Sequence, residues 1–92
     1  MNKTGILIKA NSSAVSEVTP IEAKKGKFKL DELQGYVGGY IERLQVSWMG
    51  APADMIVNEE GRLHGLPINR VASDVARTLI VGDVVLLRKG AW

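Results

Sequence analysis

The chain has 92 residues, no cysteine and a formal net charge of +2. That length predicts one domain, residues 1–92, and the lack of cysteine excludes disulfide bonds, thiolate metal sites and cysteine nucleophiles. No apolar run approaches the roughly 20 residues of a membrane span, and no secretion signal is recognised at the N-terminus, so we expect a cytoplasmic protein with no membrane contact.

The N-terminal third predicts an antiparallel hairpin followed by a basic link. Residues 4–10 contain a short apolar run bounded by polar residues, and residues 14–19 alternate apolar with polar side chains, which is typical of strands. The polar residues 11–13 predict the turn between them, and Pro20 predicts the end of the second strand. Residues 22–29 form a polar, lysine-rich link.

A short helix is predicted to begin at Asp31. The Asp31 carboxylate can accept a hydrogen bond from the Gln34 N–H while the Gln34 side chain reaches back, which is a capping box. Leu30 precedes this cap and is a candidate hydrophobic staple. Gly38 and Gly39 predict the end of the helix, because glycine adopts left-handed backbone angles without steric cost.

The middle of the chain predicts further strands. Residues 40–48 alternate in the manner of a half-buried strand, and residues 49–54 have the composition of a loop. Residues 55–58 predict a short strand. The turn at 58–61, closed by glycine, predicts a hairpin whose returning strand lies at 62–64.

The last third predicts a capped helix and a central strand. Asn69 is a strong N-cap, and the apolar residues after it recur on one helical face. Residues 80–83 turn the chain into the continuously apolar run 84–87, which suits a strand covered on both faces. The order β-β-α-β-β-α-β predicts an α+β fold, with a two-layer arrangement of an antiparallel or mixed sheet and two short helices. The apolar helix residues are Val71, Ala72, Val75, Ala76 and Leu79.

Two stretches of the chain are dense in turn and cap motifs. Residues 30–42 contain Asp-Glu-Leu-Gln and Val-Gly-Gly-Tyr-Ile-Glu, and residues 57–69 contain Asn-Glu-Glu-Gly-Arg-Leu and Gly-Leu-Pro-Ile-Asn. With Ile-Val-Gly-Asp-Val at 80–84, they resemble a family of short phage and mobile-element proteins known only as a domain of unknown function. The resemblance spans 30–87 and implies a phage or plasmid accessory protein. It implies no established activity, so no catalytic residue is carried over.

The titratable side chains form no recognised catalytic pattern. His64 has no second histidine or cysteine to join it, and Gly-x-Ser-x-Gly is absent, which argues against a zinc site and a serine triad. The strand register puts Glu42 on the apolar face, where we expect a structural ion pair with Arg62 or Arg70. We therefore expect a protein that is not an enzyme and has no cofactor. The enzymatic alternative would use Glu42, Glu59 and Glu60 with a divalent ion.

The preferred hypothesis is binding by sequestration or blockade, by analogy with small phage proteins that counter host defence. An assembly of identical subunits would hold an anionic small ligand, such as a signalling nucleotide, or cover a host protein. An arginine beside a helix N-terminus favours the binding of anions. A tryptophan at the C-terminus would be exposed to solvent unless it packs on its own chain, another subunit or a ligand. The residues expected in this site are Trp48, Arg62, Asn69 and Arg70, with Trp92 contributed in trans.

The alternative partner is nucleic acid. Residues 1–29 carry six lysines against two glutamates, so the positive charge of the chain is concentrated there. One basic loop is a small footprint for duplex DNA, which favours a broad basic face, and this places nucleic acid second. The residues that would contact it are Lys24, Lys25, Lys27 and Lys29, together with neighbouring aromatic side chains.

Overall fold

The computed structural model describes residues 1–10 and 17–92, so the predicted turn at 11–13 and residues 14–16 of the predicted second strand lie outside the described residues. Its strand pairings are all antiparallel. The α+β class and the predicted order are therefore confirmed. No helix in the described ranges has the length and apolar character needed to cross a membrane. The elements are β1 (Thr4–Lys9), β2 (Glu17–Glu22), α1 (Leu30–Val37), β3 (Ile41–Trp48), β4 (Ala51–Asn58), α2 (Arg70–Ala76) and β5 (Val84–Arg88).

The two helices cover opposite faces of the sheet. Successive residues of a strand point to opposite faces, and in β5 Val85 and Leu87 belong to the core under α1, whereas Val84 and Leu86 belong to the core under α2. The fold therefore has three layers instead of the predicted two. The central strands are apolar on both sides, and each apolar side needs a cover.

β5 is the central strand, as its continuously apolar sequence predicts. The strand order across the sheet is β2-β1-β5-β4-β3. Each residue from Val84 to Leu87 is at most 1% exposed. Burial of a Val or Leu side chain contributes about 1.5–3 kcal/mol, so this short strand is a main source of stability.

The predicted loop at 49–54 is wrong, because β4 begins directly after a two-residue turn. Met49 and Gly50 have φ angles of 51° and 78°, and positive φ at both positions gives a tight hairpin turn whose twist suits the flanking strands. Pro52 favoured the loop, yet it pairs with Ser47 inside the hairpin. Ser47 and Pro52 form a non-hydrogen-bonded pair, so the ladder between β3 and β4 does not need the N–H that proline lacks.

The predicted returning strand at 62–64 is also wrong. Residues 59–65 form successive turns instead. Asn58 shapes the first of them: its Oδ1 accepts a hydrogen bond from the Glu60 N–H at 2.8 Å, and its Nδ2 donates to the Val37 carbonyl at 3.1 Å. Because β3 and β5 occupy both edges of β4, a strand returning along β4 would have no edge to pair with.

α1 begins earlier than predicted. Its N-cap is Lys29 instead of Asp31, and the Lys29 N–H donates to Glu32 Oε1 at 3.1 Å. Leu30 is 55% exposed and so does not act as a staple. Gly38 ends the helix as predicted, with a left-handed φ of 80°.

α2 is capped as predicted and is shorter than predicted. Asn69 Oδ1 accepts a hydrogen bond from the Ala72 N–H at 3.1 Å. The helix ends at Ala76 because Arg77 adopts a left-handed φ of 58°. Leu79, predicted to extend the buried stripe, therefore lies outside the helix and is 49% exposed.

The two edge strands differ in their protection. β2 contains Pro20, which pairs with Ile6 and does not end the strand as predicted. Proline is tolerated on an edge strand because its missing N–H can point away from the sheet. β3, at the other edge, is eight residues long and contains no proline.

Candidate functional site

The residues predicted to form one ligand site lie in separate places. Trp48 is the last residue of β3. Arg62 lies in the turns that follow β4 and lines a cavity together with Glu42, which is near the start of β3. From Glu42 to Trp48 the strand rises by about 20 Å, at about 3.3 Å per residue. Within one chain, Trp48 and Arg62 therefore do not meet.

Asn69 is used inside the fold. Its side chain has no exposed surface. Besides capping α2, its amide nitrogen donates to the carbonyls of Ile8 and Gly82, both at 2.9 Å. These bonds tie α2 to β1 and to the segment before β5, and they give Asn69 a structural role. Arg70, which follows it, is exposed at the first position of α2.

Trp92 docks on its own chain. Its indole Nε1 donates a hydrogen bond to Asp54 Oδ2 at 3.1 Å, and Arg43 Nη1 lies 3.7 Å from Asp54 Oδ1. Asp54 is only 6% exposed, so these two contacts stabilise a carboxylate that the sheet shields from water. Trp92 therefore has a contact in cis, while the residue remains 40% exposed; its contribution in trans stays a prediction.

Replacing Trp92 by phenylalanine should lower the free energy of unfolding by about 1–3 kcal/mol, because a shielded carboxylate oxygen loses its donor. Urea denaturation followed by circular dichroism measures the loss. The same Trp92→Phe change in an Asp54→Asn background should cost less, since the acceptor no longer carries a charge. An equal loss in both backgrounds would show that the charge of Asp54 does not strengthen this hydrogen bond.

Arg62 lines a cavity whose other charged residues are all acidic. The cavity has a volume of about 310 Å³ and lies between the start of β3, the turns after β4 and the segment before β5. Glu42, Glu59 and Glu60 line it together with Arg62, and this excess of carboxylates disfavours an anionic ligand. Glu42 is exposed and forms no ion pair with any described residue, so the predicted pair with Arg62 or Arg70 is wrong.

His64 has a surface role. Its Nε2 lies 3.7 Å from Glu60 Oε1, four residues earlier in the sequence, and both side chains are exposed. Exposed pairs of this kind contribute at most about 1 kcal/mol. Across residues 1–10 and 17–92, no three His, Asp or Glu side chains are grouped so that they could hold a metal ion.

The lysine-rich segment 24–29 is a loop whose backbone is fastened to the sheet. Lys3 and Gly26 are joined by a hydrogen bond from the Lys3 N–H to the Gly26 carbonyl at 2.6 Å. Phe28 donates its N–H to the Ala91 carbonyl at 2.8 Å, and the residue is 3% exposed in the core under α1. The loop therefore has an anchor on each side of Lys27.

Glu32 adds a third anchor to the same loop. One carboxylate oxygen accepts a hydrogen bond from the Lys24 N–H at 3.0 Å, and the other accepts one from the Lys29 N–H at 3.1 Å. Glu32 thus contacts the backbone of the loop, and none of the loop lysines forms an ion pair with a described residue. Their side chains are exposed.

The sheet topology places further positive charges at the same end of the sheet as this loop. Gly5 pairs with Leu87 across β1 and β5, so the start of β1 and the end of β5 lie at the same end of the sheet. The loop follows β2 at that end and is bonded to Lys3. We call this surface the basic end; its residues are Lys3, Lys24, Lys25, Lys27, Lys29, Arg88 and Lys89.

An aromatic ring lies at the same end of the sheet. The Arg88 guanidinium carbon is 4.4 Å from the centroid of the Trp48 ring, and Arg88 Nη1 donates to the Trp48 carbonyl at 2.9 Å. A cation–π contact and a hydrogen bond together hold the guanidinium in a defined position. Arg88 is nevertheless exposed, so its outer surface faces solvent.

Sequence reasoning identified the loop lysines and missed the rest of the basic end. Lys3, Arg88 and Lys89 are separated by most of the chain, and each reads as an ordinary charge beside a strand. Knowledge that β1 pairs with β5 would have shown that these residues lie at the same end of the sheet. The sequence predicts both strands, but it does not say that they are neighbours.

The fold and this surface define a small three-layer α+β protein with a basic end and an acidic cavity at the opposite end. A family model described as Domain of unknown function (DUF3846) matches residues 3–91, and the protein belongs to that family. Neither a curated protein nor a solved structure matches the chain. The predicted membership of a family of unknown function is therefore confirmed.

Proposed function

We propose that this protein is a non-enzymatic accessory protein of phage or mobile-element origin that binds nucleic acid through its basic end. The observation that carries the proposal is the lysine loop, in which exposed side chains extend from a fastened backbone and form no ion pair with a described residue. Cations that the protein does not neutralise itself are available to phosphate groups, and their binding releases counterions.

The fastened backbone supports binding in a second way. A loop that is already ordered loses less conformational entropy on binding than a free one. The loop bonds to Lys3 and Glu32 therefore hold several ammonium groups in one region before any phosphate arrives. Nucleic acid is the partner that presents closely spaced phosphates along a chain.

The Trp48–Arg88 stack favours a single strand over a duplex. Unpaired bases stack on aromatic rings and guanidinium planes, and a duplex keeps its bases inside. The basic end is also small, whereas duplex DNA favours a broad basic face. We therefore expect single-stranded nucleic acid to bind more tightly than a duplex of the same length.

Sequestration of a small anionic signal receives less support. Trp48, Arg62 and Trp92 lie at different ends or faces of the chain, Asn69 is fully buried, and the cavity beside Arg62 is rich in carboxylates. A blockade of host nucleic acid would still be an accessory role, carried out in the host cytoplasm.

Replacing Lys24, Lys25 and Lys27 together by glutamine should weaken binding to single-stranded DNA by about tenfold or more at low salt, because three phosphate contacts are lost. Fluorescence anisotropy with a labelled oligothymidine of about 20 nucleotides, longer than a typical single-strand site, measures the affinity. The slope of log K against log salt should become shallower by about 2, or about 0.7 for each contact removed.

The matched control replaces Lys9, Arg62 and Arg70 by glutamine. These three exposed cations lie away from the basic end, and their removal gives the same formal net charge of −1, three below the +2 of the chain. The control should bind like the unaltered protein. Equal losses in both triple variants would mean that only net charge matters, and no binding by the unaltered protein would remove the proposal.

A further inference from the structure

The outer edge of β3 is an unprotected strand edge. β3 pairs with β4 on one side, and no strand of the described chain pairs with its other side. Proline, bulges and lysine side chains commonly protect such edges. β3 has no proline, bulge or lysine along eight residues. Its charged side chains are Glu42 and Arg43, and Arg43 lies beside Asp54 at 3.7 Å. The opposite edge of the sheet is blunted by Pro20.

The direction of the free backbone groups follows from the two-residue turn. Trp48 and Ala51 flank that turn and pair with each other, so they exchange hydrogen bonds, and the bonded pairs alternate from there along the ladder. The even-numbered residues of β3 therefore bond to β4. The odd-numbered residues direct N–H and C=O groups outward; they are Ile41, Arg43, Gln45 and Ser47.

We infer that the partner of this edge is β3 of a second copy of the chain, paired antiparallel about a two-fold axis at Gln45. A two-fold axis normal to the sheet opposes residues of the same parity, so the outward-facing residues of one copy meet those of the other. Three bonded pairs then form, with about six hydrogen bonds. The two five-stranded sheets join into one sheet of ten strands.

Side-chain chemistry selects this register over its neighbours. An axis at Gln45 places Leu44 opposite Val46 of the second copy on the face covered by α2, and both residues are only partly buried in one chain. An axis at Leu44 would add one bonded pair, but it would bring the two Arg43 side chains into diagonal contact. Glu42 faces an apolar residue in both registers: Val46 with the axis at Leu44, and Trp48 with the axis at Gln45. An axis at Val46 would lose about two hydrogen bonds.

A single open edge gives a dimer and not a fibre. The pairing uses the same patch on both copies, so it closes after two subunits. Continued growth would need the β2 edge as well, and Pro20 interrupts that edge. The inference concerns β3 alone and is independent of nucleic-acid binding at the basic end.

The first test is the mass of the protein in solution. Light scattering after size-exclusion chromatography should give about 20 kDa, twice the 10.0 kDa of the chain. Gln45→Lys should give the mass of the monomer, because two lysine side chains would face each other across the axis. Gln45 is exposed, so the fold should persist in the circular dichroism spectrum. Thr19→Lys, at an exposed position of the opposite edge, should leave the dimer intact.

The second test reads the position of the axis. The chain has no cysteine, so one introduced thiol can form a disulfide only between copies. In a bonded antiparallel pair the Cα atoms lie about 5.5 Å apart, a separation that disulfides span. Gln45→Cys should therefore give a covalent dimer on oxidation, and Thr19→Cys should not. A monomer at high micromolar concentration, or equal cross-linking of both variants, would overturn the inference.

Discussion

Replacing Asn69 by aspartate is expected to destabilise the fold by about 3–5 kcal/mol, the cost of an uncompensated buried charge. The side chain is fully buried and its amide donates to the carbonyls of Ile8 and Gly82. A carboxylate has the same shape but no hydrogen to donate, so oxygen atoms would face oxygen atoms. Urea denaturation at neutral pH, followed by circular dichroism, measures the loss.

Asn69→Ser separates the cap from the two donated bonds. Serine is a good N-cap and can accept the Ala72 N–H, but it cannot reach both carbonyls. The expected loss is about 1–3 kcal/mol, from carbonyls left without their donor. The serine variant should therefore be more stable than the aspartate variant. Equal stability of the two would contradict the view that the buried amide donates to Ile8 and Gly82.

The aspartate variant should also acquire a pH dependence that the serine variant lacks. Burial raises the pKa of the introduced carboxyl group in the folded state above its value in the unfolded chain. Folding is then favoured while the group is protonated, and this advantage is lost as the pH rises through the raised pKa. The gap between the two variants should narrow in acid, where a protonated carboxyl can donate one hydrogen bond.

The local role of Asn69 was predictable from the sequence, and its long-range role was not. Its role as an N-cap depends on the residues that follow it directly, and this prediction is confirmed by the bond from Ala72. Its bond to Ile8 joins residues 61 positions apart, and no local pattern contains it. The sequence thus predicted a cap and a ligand residue, whereas the structure shows a buried junction between α2 and β1.

The element order was predictable because each element carries its own local signal. The apolar run of β5 predicts a strand covered on both faces, and the glycine after α1 predicts its end. Turn composition misled the prediction at β4, since Gly50 and Pro52 together are typical of a loop. Pro52 is accepted in the strand because its pairing with Ser47 requires no backbone N–H. That pairing joins residues on both sides of the turn, so local composition does not reveal it.

The basic end was predictable only in its local part. Lys24 to Lys29 form one cluster in the sequence, and the structure keeps them together and exposed. Arg88 and Lys89 join them because β1 and β5 pair, which is a long-range event. The predicted number of layers was wrong because it also depends on long-range packing. Helix periodicity shows which face of a helix is apolar, but it does not show which side of the sheet that helix covers.

Replacing Leu87 by alanine should destabilise the fold by about 2–5 kcal/mol, the cost of a large-to-small change in a packed core. Leu87 is fully buried in the central strand, in the core under α1. Leu63→Ala is the control, because Leu63 is 83% exposed; its change should stay within about 0.5 kcal/mol. Urea denaturation of the two variants measures both values.

Gly5 provides a sharper test of the same packing. A Cβ atom at Gly5 would lie 2.5 Å from Leu87 Cδ2 and 3.2 Å from the Leu86 carbonyl oxygen, so Gly5→Ala should also destabilise the fold, through overpacking. In the double variant the new methyl group enters space that Leu87 has vacated. The loss of unfolding free energy in the double variant should therefore be smaller than the sum of the two single losses. We expect a difference of about 0.5–3 kcal/mol, which is typical of residues in contact. Strict additivity would mean that the methyl group of Gly5→Ala destabilises the fold through its other neighbours, the Leu86 carbonyl oxygen and the Phe28 ring, and not through Leu87.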